Sequence, residues 1–282
     1  MAEHDPAKAT RPHPAVPGRA CDCHVALTGP LALLATAPEP EEIPQEATLS
    51  QLLDRLDRRG LERAVLVQPE LPGTAGDALL QALAAHRNRL RGVARYAPEL
   101  GDGALEQMAH TGVRGLRVDL RTPGAPDLPS LEALAQRLEP HRCHLELAVD
   151  PAILKRVAPH LATLAVDCVI EHFGLVPAGA AAALKPLVRL LRGGRCWVKL
   201  SGIDLVSRTG PPWRDTLPLA QALIEADPTR LLWGSGWPQG GGAGWPPDDA
   251  ALIDLLALWA PDERLRHLIL VDNPARLYRF GD

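Results

Sequence analysis

Nowhere in the 282 residues does an apolar run approach the roughly 20 residues that a bilayer span requires. The opening Met1–Gly18 is polar and proline-bearing, without a hydrophobic signal core. These absences predict a cytoplasmic chain that has no membrane partner. Neither sign of charge is in large excess: 30 Lys and Arg stand against 34 Asp and Glu, a net charge of −4. The basic residues are scattered, so no field is built for phosphate backbones, and the expectation is no nucleic acid partner. Cysteine is sparse and odd in number. Cys21, Cys23, Cys143, Cys168 and Cys196 fall in apolar runs, no CxxC pair offers structural zinc, and all five read as small core residues in a reducing compartment. Gly240–Gly244 is followed by no Lys-Ser/Thr and lacks GxGxxG spacing, so it reads as a turn rather than a phosphate cradle.

What is present is alternation. Brief Val/Ile/Leu-rich runs of strand length are each followed by a stretch with helical spacing, about eight times along the chain. The runs are Cys21–Leu27, Ala64–Val67, Arg91–Tyr96, Val113–Leu120, Cys143–Val149, Leu164–Ile170, Cys196–Leu200 and Leu231–Trp233. Short continuous apolar strands suit a parallel sheet covered on both faces, and eight such units favour a closed barrel over a doubly wound sheet. The predicted class is α/β, a single-domain (β/α)8 TIM barrel over 20–282 behind a flexible tail, 1–19. The helix signals are explicit at Thr48, a capping residue before Leu49, Leu52, Leu53 and Leu56, with Gly60 as the stop. Thr28–Glu46, rich in Pro and Glu, reads as a long loop near the barrel mouth.

In such a barrel the chemistry sits at the C-terminal ends of the strands. Those ends deliver His24, Gln68 and Glu70, Arg117 and Asp119, Glu171 and His172, Ser201 and Asp204, and Ser235. Each has a plainer reading. A lone His on a strand can be a buried imidazole satisfied by a backbone partner. Glu171, Asp119 and Glu146 can be ion-paired inside the barrel with Arg117, Lys199 or a histidine, as buried charges must be.

Taken as an ordered set, Asp22-Cys23-His24, Glu62–Pro69, Gly112–Arg117, Val198–Gly202, Leu232–Pro238 and the closing Val271–Tyr278 resemble the amidohydrolase-related family, in particular its lactone hydrolases of the 2-pyrone-4,6-dicarboxylate type. The resemblance runs from about Asp22 to Phe280. It implies a barrel hydrolase acting on a small carboxylated lactone or amide. The departures define the site. The second His of the family's Asp-x-His-x-His is Ala26, the Asp that acts as general base after strand eight is Gly236, the His after Trp-Pro is Gln239, and an Arg after strand seven is replaced near Leu205.

The matching positions leave His24 and His172, short of the three protein ligands a catalytic zinc requires. No metal and no cofactor are therefore expected. Glycine cannot accept a proton, so water activation needs another carboxylate. The expected catalytic residues are His24, His172, Glu171 and Asp204, and the expected substrate contacts are Arg117, Glu70, Ser235 and Gln239. The alternative is a non-catalytic barrel that binds a small molecule.

Overall fold

Thr48 caps the first helix, its hydroxyl accepting from the Gln51 amide while the Gln51 side chain accepts from the Thr48 amide, and Gly60 ends it in the left-handed region. That βα unit is repeated around the molecule. The computed structural model describes residues 15–28, 47–69, 75–238 and 249–281. Eight strands, β1 (Cys21–Val25), β2 (Arg63–Val67), β3 (Leu90–Arg95), β4 (Val113–Asp119), β5 (His144–Ala148), β6 (Cys168–Ile170), β7 (Cys196–Leu200) and β8 (Leu231–Trp233), follow one another in spatial order. All seven pairings are parallel. The ring closes where Ala26 N–H donates to the Trp237 carbonyl and Gly236 N–H donates to the His24 carbonyl.

Helices α1 (Leu49–Arg59), α2 (Ala75–Ala85), α3 (Asp102–Thr111), α4 (Leu128–Leu138), α5 (Pro151–Leu161), α6 (Ala181–Arg192), a short α7 (Ile203–Val206) and α8 (Leu217–Ala226) alternate with the strands, and α9 (Asp249–Trp259), α10 (Glu263–His267) and α11 (Asn273–Tyr278) follow. The (β/α)8 architecture is as expected from the alternation. One boundary differs. The apolar run from Leu164 reads as strand, yet pairing begins only at Cys168. Leu164 and Val166 are buried ahead of it, and burial alone does not distinguish that from a strand.

Alternation along each strand sorts side chains into two cores. The outer, between strands and helices, takes Leu116, Val118, Leu145 and Leu147. The inner takes Cys21, Cys23, Val65, Val67, Val169 and Trp197, closed from below by Leu277, Tyr278 and Phe280. By the same alternation Arg117, Glu146 and Lys199 face the barrel axis. Strand β1 breaks the rule once: Cys23 is inner and Val25 outer, and the register shifts between Asp22 and Val25. The irregularity lets His24 line the cavity at the mouth. All five cysteines are buried free thiols, and among the described residues no helix is long and apolar enough to cross a membrane. Of the expected tail, 1–14 lie outside the described residues, as do 29–46 of the long loop and Gly240–Gly244.

Candidate active site

Two histidines meet at the open end of the barrel. Their ring centroids are 4.4 Å apart and tilted by 57°. His24 comes from the irregular end of β1. His172 comes from a left-handed turn after β6, in which His172, Phe173, Gly174 and Leu175 all have φ between +49° and +62°. Side chains with a Cβ adopt that region at a cost of about 1–2 kcal/mol each, and such strain concentrates at functional sites. The turn is secured from β7: His172 Nδ1 lies 3.0 Å from Ser201 Oγ. Gly202, itself at φ +63°, lets the imidazole lie against its backbone, since a Cβ there would come within 2.6 Å of Nδ1.

The histidines share a cavity of about 480 Å³ with Arg117, Asp119, Arg121 and Asp204. Arg117 is committed to Glu171 through two parallel hydrogen bonds, Nε to Oε1 at 2.8 Å and Nη2 to Oε2 at 3.1 Å. Burial, the largest influence, would raise the Glu171 carboxyl, but the Arg117 guanidinium together with the neighbouring His24 and His172 brings the group well below its ordinary range. Asp119 is similarly gripped by Arg121, which donates from Nε, Nη2 and its backbone amide. Burial opposes those bonds, and the net effect still lowers Asp119. Asp204, on α7, has no ion pair among the described residues, and burial raises its carboxyl above the ordinary value of 3.8. Of the two carboxylates that the described residues place on the cavity wall, Asp119 and Asp204, Asp204 is thus the one not held by a cation.

Burial lowers His172 to about 4 and lowers His24 well below the ordinary 6.5. Both are neutral at physiological pH. As the pH drops below about 6.5 the unfolded chain binds protons that the folded protein refuses, so stability rises with pH across this window and is lost toward acid. His172 alone accounts for about 2 kcal/mol between pH 7 and pH 5, at roughly 1.4 kcal/mol per pKa unit. Urea midpoints should fall steadily over that range, before most carboxylates titrate. A flat profile down to pH 5 would show that the imidazoles are not neutral and buried.

Below the histidines lies a layer that was legible in the sequence only as candidate ion pairs. Lys199 Nζ donates to Glu146 Oε1 at 2.6 Å, and neither side chain is exposed to solvent. A His24 nitrogen and oxygens of Glu146 and Glu171 lie within 4.8 Å of one another, the one such trio among the described residues. A divalent cation does not suit that trio as built, because Lys199 and Arg117 already neutralise the two carboxylates. A unit charge about 4 Å from the ammonium meets a repulsion of about 4 kcal/mol at an effective dielectric near 20, and a dication twice that.

Of the expected site residues, His24, His172, Arg117 and Asp204 converge on the cavity, and Glu171 stands behind them holding Arg117. Ser235 does not line the cavity. It is buried, its amide donates to Asp22 Oδ1 and its Oγ accepts from the Trp237 amide, so it braces β8 against β1. Asp22 also accepts from the His24 amide. Glu70 and Gln239 lie outside the described residues. Sequence reasoning missed Arg121. Its signal was the spacing Arg117-Val118-Asp119-Leu120-Arg121, which alternates charge off the end of an inward-facing strand.

Gly236, where the resemblance puts a general base, has φ +77°, and a Cβ there would meet nothing closer than the Gly202 amide at 3.8 Å. There is room for Asp but the backbone resists it. Gly236→Asp combined with Ala26→His should cost about 1–2 kcal/mol of stability and raise lactone turnover only a few-fold. A hundredfold gain would instead mark Gly236 as the seat of a lost base.

Comparison with known proteins bears on the family and the fold. Residues 21–280 match the family model for amidohydrolase. A 4-sulfomuconolactone hydrolase of Rhizobium radiobacter is 33% identical over 273 residues, covering 94% of this chain and 91% of its own. A 2-pyrone-4,6-dicarboxylate hydrolase of Comamonas testosteroni is 29% identical, covering 96% and 94%. A crystal structure of a probable 2-pyrone-4,6-dicarboxylic acid hydrolase from Acinetobacter baumannii, with citric acid bound, superposes with a TM-score of 0.81 at 26% identity, covering 93% of this chain and all of the other.

Proposed function

The chain belongs to the amidohydrolase family, its residues 21–280 matching, and from that premise we propose that it hydrolyses a small lactone bearing an acidic group, without a metal and with a relocated base. The observation that carries the proposal is the company kept in one cavity: two neutral imidazoles in contact, two guanidiniums and one carboxylate without a cationic partner. Asp204 takes a proton from water as the oxygen attacks the lactone carbonyl. His24 and His172 polarise that carbonyl. The ring C–O bond then breaks, and the proton returns from Asp204 to the leaving oxygen, so the carboxyl acts first as base and then as acid.

Arg121, more exposed than Arg117, holds Asp119 through Nε and Nη2 and offers its remaining Nη1 to the substrate's acidic group, with Arg117 beside it. Leu205, half exposed on the cavity wall, supplies an apolar contact where the resemblance puts an Arg. A substrate with one acidic end and one apolar end fits that arrangement. The named relatives act on lactones carrying sulfonate or carboxylate groups, and one related structure holds citric acid, which supports an acidic ligand here. A cytoplasmic location is consistent with five unpaired thiols.

The test is turnover of a panel of lactones, with and without acidic substituents, followed by acid release. Acidic lactones should be consumed, and Arg121→Met should raise KM by about 10–100-fold, the loss of one or two charged hydrogen bonds. Gly236 and Ala26 favour a second reading, a barrel that binds such a molecule without reacting it. Saturable binding of acidic lactones with no turnover of any would establish that reading instead.

A further inference from the structure

We infer that Lys199 is a positioning residue whose ammonium, set between Glu146 and His24 at the heart of the barrel, holds the His24 imidazole in the tautomer that carries its proton on Nε2. The inference rests on the hydrolase reading and deepens it by naming the atom that polarises the carbonyl. Three strands contribute: His24 from β1, Glu146 from β5 and Lys199 from β7. Nζ lies 2.6 Å from Glu146 Oε1 and 3.5 Å from His24 Nδ1, with the Tyr278 ring 5.9 Å away.

An ammonium has three donors and no acceptor. A proton on His24 Nδ1 would point its hydrogen at Nζ, whereas a lone pair there faces a positive charge in a water-poor interior. At 3.5 Å the effect is chiefly electrostatic, and it has one sign. Glu146 does not compete for an Nδ1 proton, since its nearer oxygen is 3.9 Å from Nδ1 and already receives Nζ. The proton therefore resides on Nε2, leaving an N–H for the cavity that His24 lines.

His172 is set up differently. Its Nδ1 faces the Ser201 hydroxyl, which donates or accepts as required. One imidazole is a fixed donor and its neighbour is free to change tautomer as a reaction demands. The same ammonium lies against two members of the His24, Glu146 and Glu171 trio, so a cation there would meet its charge.

Histidine-selective isotope labelling with proton–nitrogen NMR reads the tautomer directly. In the unmodified protein His24 should show a protonated Nε2 and a bare Nδ1. In Lys199→Met/Glu146→Met, which removes both buried charges together, a second His24 population with Nδ1 protonated should appear, while the His172 signals stay as they were. Lys199→Arg, which keeps a donor, should retain the single tautomer. Protonated Nδ1 in the unmodified protein overturns the inference, as does an unchanged His24 tautomer in the double variant. Should the double variant fail to fold, the unmodified spectrum decides. The two readings fail separately: Nε2–H without turnover of any lactone removes the hydrolase and keeps the Lys199 role, and turnover with Nδ1–H does the reverse.

Discussion

Asp204→Asn should lower lactone turnover by about 10²–10⁴-fold, the usual worth of a positioned general base, with little change in stability. Asparagine has nearly the same shape and cannot take a proton. Asp204 has no cationic partner among the described residues to leave stranded, so the fold loses little. Among the described residues the position stands out by elimination: Glu171 is bound by Arg117, Asp119 by Arg121 and Glu146 by Lys199. Burial places the Asp204 pKa above the ordinary aspartate value, which makes it a better base near neutral pH. Activity should rise with pH through that pKa, because the ionised form is the active one, and this acid limb should vanish in the variant. Asp119→Asn is the control, and its effect should fall mainly on KM through the loosened Arg121. Full turnover by Asp204→Asn would mean that water is activated elsewhere.

The largest stability effect is expected at the barrel axis. Lys199→Met should cost about 3–5 kcal/mol, because it leaves the Glu146 carboxylate buried without its cation. Glu146→Met should cost a similar amount for the converse reason. The two together should be far less harmful than their sum, since a pair of apolar side chains of similar volume often replaces a buried ion pair at little cost. Urea unfolding of the two single variants and the double closes the cycle. Additive losses would show that the pair does not act as a unit, even though Nζ and Oε1 are 2.6 Å apart. The equivalent pair at Arg117 and Glu171 is less suited to the experiment, because Arg117 also faces the cavity and its loss would alter ligand contact as well.

Much of the architecture is written in local pattern. Thr48 and Gly60 delimit α1 as their chemistry requires, and the apolar runs mark all eight strands, because capping, turn formation and strand burial depend on residues close in sequence. The strand-end rule also brought His24, His172, Arg117 and Asp204 into view, and the plainer reading of Glu171 and Glu146 as ion-paired groups is what the barrel contains. Local pattern failed at Leu164 and Val166, which are buried ahead of β6 without joining the strand. At Ser235 the strand-end hydroxyl accepts from the Trp237 amide of its own turn, a contact that local pattern did not foretell.

The sequence alone determined that eight strands would present their ends at one face, which residues those ends would carry, and that Gly236 brings no base. Only the tertiary structure decided which charges cancel. Lys199 lies 53 residues from Glu146 and 175 from His24 in the chain, and nothing in their spacing says which will touch. Strand register and barrel closure set those distances, and distance decides whether a carboxylate is neutralised, as Glu171 is, or left to take a proton, as proposed for Asp204.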